Sequence, residues 1–229
     1  VPSHATGRDL VEAGLASDDR IVCIPHGINP IFRRIEGSSE FAARYQLTRP
    51  FILTVGVLEP RKNHLMLLEV IRALHQKGHQ LDLVIIGRPG WRWKNPLTMA
   101  KYRDLRPWVK VLSDVPDVDL VEFYNRAEMF IYSSFYEGFG LPILEAMACG
   151  TPVIASNVSS MPEVGGSAAL FANPADPREF VAQASRLLGE KDLRRQMIDA
   201  GLRHAQQFTW AAAARATVAV YRSVCDSAE

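Results

Sequence analysis

The chain alternates between short apolar runs and longer amphipathic stretches. Four runs dominate: Phe51-Ile-Leu-Thr-Val-Gly-Val, Leu81-Asp-Leu-Val-Ile-Ile-Gly, Met129-Phe-Ile-Tyr and Pro152-Val-Ile-Ala. Their consecutive apolar positions suit strands covered on both faces. They predict strands over 51–57, 81–87, 129–132 and 152–155, with weaker strands over 21–24, 108–112 and 168–171. Between them the period changes to that of a helix. Leu65, Leu68 and Ile71, with Leu67 and Leu74 shifted beside them, form one stripe on a helix over 64–77. Asn63 is placed to cap that helix and Gly78 to end it. Helices are also predicted over 5–13, 37–45, 97–105, 119–126, 178–188, 191–206 and 210–224, with a long polar and aromatic loop over 88–95. Strand and helix alternate with connections long enough for crossovers. That pattern predicts a doubly wound, parallel, Rossmann-like α/β sheet flanked by helices, ending in a helical C-terminus. Ligands in such sheets bind beyond the carboxyl ends of the strands. The loops after Val57, Gly87 and Tyr132 fall there.

Composition narrows the function. The 229 residues carry 26 Lys+Arg against 25 Asp+Glu, a formal charge of +1. That balance argues against a dedicated nucleic-acid or anionic-membrane surface. Cys23, Cys149 and Cys225 are far apart and share no metal-ligand spacing, so they read as reduced, buried thiols of a cytoplasmic protein. His4, His26, His64, His75, His79 and His204 form no metal pattern and read as surface or capping residues, with His26 near the cleft. No apolar run reaches the length of a membrane-spanning helix. The chain opens Val-Pro-Ser-His without a methionine, which suggests a piece of something longer. Its first 30 residues read as a lead-in and residues 31–229 as the main domain. Trp91 and Trp93 read as packing residues, as do Trp210, Tyr221 and Val224 on one face of the last helix.

The chemistry concentrates in Glu137-Gly-Phe-Gly-Leu-Pro-Ile-Leu-Glu145, where seven residues separate two carboxylates. Pro142 suits the first position of a helix and Gly150 its exit. This places Glu137 on a loop and Glu145 in the first helical turn. The N–H groups of Gly138, Phe139 and Gly140 lie between them, and a helix N-terminus with free amides accepts phosphate. The whole describes a pocket for a sugar joined to a phosphate; the plainer alternative is a helix start with a dipole-favoured Glu. Upstream, Glu59-Pro-Arg61-Lys62-Asn63 sets two cations between a strand and a helix, where a diphosphate fits. A solvated basic turn is the alternative there. Neither a G-x-G-x-x-G fingerprint nor a Walker-type loop is present.

Taken in order, Gly56-x-Leu-Glu-Pro-Arg-Lys-Asn, Glu137-x7-Glu145 and Ala146-Met-Ala-Cys-Gly-Thr-Pro-Val-Ile strongly resemble the C-terminal, donor-binding domain of GT-B retaining glycosyltransferases of family 4. Pro25-His-Gly-Ile-Asn resembles the family's interdomain connection, with His26 in place of the usual Asn. The resemblance implies that Glu145 binds the ribose of a nucleotide-sugar and Glu137 the hydroxyls of the transferred sugar. Arg61 and Lys62 resemble the diphosphate clamp. Many relatives carry Arg directly after the strand glycine Gly56, where this chain has Val57, so the clamp role passes to Arg61. Gly138, Phe139, Gly140 and Leu141 would contact the donor, and Val115 and Pro116 would lie against its base. The family implies retention of configuration. The cationic clamp and helix N-terminus would stabilise the departing diphosphate, so no metal or other cofactor is expected, and Asp117-Val-Asp119 sits where a helix cap is expected. The Glu-Pro-Arg-Lys-Asn and Gly90-Trp91 segments resemble mannosyltransferases. GDP-mannose is therefore the leading donor, with a UDP-sugar the other candidate. The acceptor, a glycan or lipid-linked glycan of surface polysaccharide or lipopolysaccharide synthesis, would be held by an N-terminal domain absent here. That half would also supply any peripheral contact with the cytoplasmic membrane face. A sugar-nucleotide epimerase of the same fold and a non-catalytic sugar-nucleotide-binding domain are the competing readings.

Overall fold

The computed structural model describes residues 1–226, so the last three residues of the predicted 31–229 domain lie outside it. Its centre is a six-stranded parallel sheet: β1 (Phe51–Val55), β2 (Asp82–Ile86), β3 (Val109–Leu112), β4 (Met129–Tyr132), β5 (Val153–Ser156) and β6 (Ala169–Ala172). The spatial order is β3-β2-β1-β4-β5-β6. The chain winds outward from β1 in one direction, then returns to start β4 on its other side. That reversal is a switch point, and it opens a crevice where the loops after β1 and β4 diverge.

The continuous apolar runs follow from two cores, one on each face of the sheet. Leu53, Val84, Phe130 and Val153 enter the first, and Ile52, Leu83, Ile131 and Ile154 the second. The first core is covered by α4 (Asp117–Arg126), α5 (Leu141–Ala148), α6 (Met161–Gly165) and the end of α8 (Lys191–Ala205). The second is covered by α3 (His64–Gln76) and α7 (Pro177–Gly189). Leu67, Leu68, Ile71 and Leu74 of α3 are all fully enclosed, as its stripe predicts, but Leu65, expected in the same stripe, is exposed in the first turn. Two shorter elements precede the sheet, α1 (His4–Glu12) and α2 (Ser39–Arg44), and α9 (Trp210–Asp226) follows it.

Several predicted elements differ. Residues 21–24 form no strand: Ile24 N–H donates to the Val1 carbonyl and the Val1 ammonium to the Val22 carbonyl, a contact one residue long. The helix expected over 97–105 is two 3-10 stretches, Pro96–Thr98 and Ala100–Trp108. Asn95 caps the first, Pro107 removes a donor from the second, and its two buried residues, Tyr102 and Leu105, are three apart, the 3-10 repeat. Asn63 does stand at the N-cap position of α3, but in the left-handed region and without a side-chain cap bond, because its amide donates to the Pro174 carbonyl. Asp119 is no cap of α4. Pro116 takes that position, while Asp119 turns inside to accept from Arg44 and from the Tyr45 hydroxyl, fastening α2. Helix α6 was not expected, although Pro162 in its first turn is a start signal.

Other corrections concern exposure. Of the three thiols, all free, only Cys149 is buried; Cys225 is exposed. His64 is buried rather than superficial, edge-on to Trp93. Trp91 is exposed, with the Arg92 guanidinium over its ring. No residue of α9 is buried, and Trp210, Tyr221 and Val224 face solvent. The apolar face of that helix is real, yet only its first turns lie against the chain, near His26.

Phe123 is the best single probe of the first core. It is fully buried on α4, with ring contacts to Phe41, Tyr45 and Phe51. Phe123→Ala is expected to cost about 3–5 kcal/mol in urea unfolding, because three rings cannot collapse into one vacated space. A loss under about 1 kcal/mol would show that α2 and α4 do not share a rigid core.

Candidate functional site

The crevice at the switch point is built from two short loops. After β1 the chain passes Gly56 and makes a 3-10 turn over Pro60–Lys62. After β4 it runs through Ser133 to Tyr136 and reaches Glu137 at the entrance to α5. The loops are laced together: Phe135 N–H donates to the Arg61 carbonyl and Ser133 Oγ to the Lys62 carbonyl, at 2.9 and 3.0 Å. A side chain at position 56 would stand 3.2 Å from Lys62 Cε and Nζ, so glycine there leaves Lys62 its path across the backbone.

Glu137 is the hub. Its Oε1 meets Lys62 Nζ at 2.6 Å and its Oε2 meets Arg61 Nη1 at 2.8 Å. Lys62 also donates to the Tyr132 hydroxyl at 2.7 Å. Arg61 reaches the Tyr136 carbonyl and Glu59 Oε1, both at 2.5 Å. The carboxylate is 9% exposed and Lys62 10%, while Arg61 is 39% exposed and faces the cleft. Burial works to raise the Glu137 carboxyl, but Lys62 and Arg61 outweigh it and hold it below the usual carboxylate range. Burial pulls the Lys62 ammonium below its ordinary value against the attraction of Glu137.

Glu145 lies in a different environment. Helix α5 begins at Leu141 with Gly140 as its cap, so Pro142 is the second helical residue. Glu145 is therefore in the second turn, not the first. Gly140 has φ +110°, a conformation glycine adopts freely. No side chain caps this helix. The N–H groups of Gly138, Phe139, Gly140 and Leu141 find no acceptor among the described residues. Tyr124 donates its hydroxyl to Glu145 Oε2 at 2.9 Å. Burial pushes the Glu145 carboxyl up to about 7; Tyr124 opposes the rise and the charge of Asp117 adds to it. Asp117 opens α4 directly after the loop that carries Val115, half-buried, and Pro116, exposed.

The structure thus gathers Arg61, Lys62, Glu137 and the 138–141 amides at one point, with Gly56 beneath Lys62. Glu145 stands further along α5, while Val115 and Pro116 lie in the loop between β3 and α4. Sequence reasoning missed Tyr132, Tyr124, Ser159, Ser160, Ser3 and Thr6, all of which touch these residues. Aromatic residues at alternate positions of the β4 run, Phe130 and Tyr132, were the available signal for Tyr132 alone. His26 packs edge-on against Phe139, as its expected place near the cleft requires. Elsewhere, His4, Cys23 and Glu163 bring ligand atoms within 4.8 Å of one another, a grouping their spacing conceals. Both Glu163 oxygens there accept N–H bonds from the start of α1.

This geometry defines a class. Residues 38–204 match the family described as glycosyl transferases group 1, and the chain belongs to it. Its fold is that of the C-terminal domain of GT-B glycosyltransferases. Among relatives, an O-antigen chain mannosyltransferase B of Escherichia coli is 39% identical over 78% of this chain and 48% of its own length. A D-inositol 3-phosphate glycosyltransferase of Corynebacterium jeikeium is 29% identical over 95% of this chain and 55% of its own. Among solved structures, Anabaena Alr3699/HepE in complex with UDP-glucose superposes with a TM-score of 0.82 at 18% identity, covering 97% of this chain and 63% of that one. The chain therefore spans about half the length of these relatives. No helix among the described residues is long and apolar enough to cross a membrane.

Glu145 carries a pH signature. Its folded value lies above the unfolded one, so its contribution to stability is complete below the unfolded value near 4.5 and is lost as pH rises through about 7. Between pH 5 and 8 this residue should remove about 2–3 kcal/mol of stability. Glu145→Gln, neutral throughout, should flatten that part of the curve in urea titrations. Parallel curves for the two proteins would show that the carboxyl titrates normally.

Proposed function

We propose that this chain is the donor-binding half of a retaining, family 4 glycosyltransferase that moves a hexose from a nucleotide-sugar to a glycan or lipid-linked acceptor. The observation that carries the reading is the buried Lys62–Glu137–Arg61 cluster set at the switch point beside the uncapped start of α5. Mannose is the proposed sugar and GDP-mannose the proposed donor. Support comes from the E. coli O-antigen mannosyltransferase relative, with a UDP-sugar as the second candidate.

In this reading the base lies against Val115 and Pro116, and the ribose hydroxyls donate to Glu145. Arg61 and Lys62 hold the diphosphate. Arg61 is suited to this because its Nε has no acceptor among the described residues and its planar fork matches phosphate oxygens. Glu137 accepts from hydroxyls of the transferred sugar, and the amides of Gly138, Phe139, Gly140 and Leu141 donate to the same end of the donor. As the glycosidic bond breaks, negative charge gathers on the departing diphosphate. Arg61, Lys62 and the α5 amides are already aimed at it and need little rearrangement. That arrangement does the work of a cation, so we propose that the reaction needs no metal. The leaving phosphate, on the face from which the acceptor attacks, takes the acceptor proton and delivers retention. The remaining half of the protein holds the acceptor and makes any contact with the cytoplasmic membrane face. The near-neutral charge of this half suits a small-molecule donor rather than a nucleic acid.

Calorimetric titration with GDP, UDP, ADP and GDP-mannose tests the reading. GDP and GDP-mannose should bind in preference, and Glu145→Ala should weaken both by ten- to a hundredfold, the loss of a charge-assisted pair of hydrogen bonds. Absence of binding by every nucleotide, both to this chain and to the longer protein, overturns it. Transfer by the longer protein should survive EDTA, whereas this chain alone should transfer little sugar.

Ribose hydroxyls donating to Glu145 favour its ionised form. Affinity for GDP-mannose, whose diphosphate is esterified at both ends, should therefore rise between pH 6 and 8, and stay flat in Glu145→Gln. Equal slopes in the two proteins would remove Glu145 from the binding site.

A further inference from the structure

Three successive carbonyls of the 137–140 loop are gripped from outside the cleft. The Glu137 carbonyl accepts from Ser159 Oγ at 2.6 Å and Ser160 Oγ at 2.8 Å. The Gly138 carbonyl accepts from Ser3 Oγ at 2.7 Å and Thr6 Oγ1 at 3.0 Å. The Phe139 carbonyl accepts from Ser160 Oγ at 2.7 Å. Ser3 and Ser160 are fully buried, and Ser160 shares one hydroxyl proton between two carbonyls. In a planar trans peptide the C=O of one residue and the N–H of the next point in opposite directions. Holding the carbonyls of Glu137, Gly138 and Phe139 outward therefore turns the N–H groups of Gly138, Phe139 and Gly140 the other way. Those are the amides that find no acceptor among the described residues.

Ser159 adds an independent observation. Its φ is +56°, in the left-handed region that a residue with a side chain enters at a cost. The Glu137 N–H donates back to Ser159 Oγ at 3.2 Å, so this strained residue exchanges two hydrogen bonds with the loop. Glycine would take this conformation without strain, and could make neither bond.

We propose that Ser159 and Ser160, assisted by Ser3 and Thr6, are positioning residues for the donor: they fix the 137–140 loop with three amides facing the diphosphate-sugar. The proposal rests on the donor-binding reading of the same site. The hydroxyls touch no substrate; they act through the loop backbone.

The test compares Ser159→Gly and Ser160→Ala with the unaltered chain. Ser159→Gly relieves the left-handed strain while deleting the hydroxyl, so its melting temperature should stay within a few degrees. Its affinity for GDP-mannose or UDP-glucose should nonetheless fall about tenfold, the scale of one well-aimed hydrogen bond. GMP and UMP, which lack the second phosphate and the sugar, should bind within about twofold of before. In ¹H–¹⁵N spectra the Gly138, Phe139 and Gly140 amides should move on adding the nucleotide-sugar, and move less in both variants. Should Ser160→Ala fail to fold, Ser159→Gly carries the test alone. Unaltered nucleotide-sugar affinity in Ser159→Gly overturns the proposal and leaves the donor reading intact. So does an equal loss for GMP and GDP-mannose. If the unaltered chain and the longer protein bind neither nucleotide-sugar, the donor reading itself falls.

Discussion

The site depends on a carboxylate that cannot be buried alone. Glu137 is almost enclosed, and an unpaired charge in that position would cost several kcal/mol. Lys62 and Arg61 remove the penalty, but only if the loop after β1 stays against the loop after β4. The pairing of β1 with β4 supplies that proximity, and the switch in strand order supplies the space between the loops. Fold and site are therefore one constraint seen at two scales. Removing either cation would leave the other paired, whereas removing Glu137 would leave two cations about one crevice without their counter-charge. A buried ion pair of this kind is weak evidence for stability, since apolar residues could fill the space as well. Its retention at the ligand-binding end of the sheet is better explained by what an entering anion would find there.

That anion would meet a site close to electrical balance. Arg61 and Lys62 are matched by Glu137 and Glu59, so the side chains of the crevice sum to about zero. The surplus positive potential comes from the backbone, through the open amides before α5 and the end of the helix dipole. Backbone donors have no rotamer freedom to lose on binding, unlike a third lysine. This division explains why the glycine-rich loop is so heavily fastened. Five hydroxyl contacts from Ser3, Thr6, Ser159 and Ser160 hold its carbonyls, and all are made away from the cleft.

Much of this was legible beforehand. The doubly wound sheet followed from apolar runs too uniform for a one-faced sheet, and α3 from a stripe of which all but Leu65, at its exposed start, is enclosed. The pairing of the Arg61-Lys62 turn with Glu137 could be anticipated from loop position, since both follow strands that end at one edge of the sheet. What sequence did not reveal has a common cause. Asn63, Asp119 and Ser159 are residues whose short polar side chains suit several local roles, and the role taken was set by a distant partner: Pro174, Tyr45 and Glu137 respectively. The 3-10 stretch over Ala100–Trp108 was mistaken for an α-helix because periods of three and of 3.6 scarcely separate over nine residues. Helix α9 shows the reverse. Its apolar face was read correctly, but periodicity states only that a face is apolar, not that this stretch of chain covers it.

The two carboxylates of the Glu137-x7-Glu145 segment make the final point. Spacing presents them as a pair, yet the structure drives them apart in character. Glu137 is held ionised by two cations, while burial pushes Glu145, four residues into α5 and bonded to the Tyr124 hydroxyl, up to about 7. Two like groups with opposed environments serve two tasks. An always-ionised acceptor suits hydroxyls that must be oriented beside the reacting bond, where its charge is already neutralised and cannot repel a diphosphate. A carboxyl near neutrality can be buried at modest cost until a ligand with two hydroxyls arrives to stabilise its charge. The same burial that makes Glu145 costly to ionise would then make it selective, because only a partner able to donate to both oxygens would repay the desolvation.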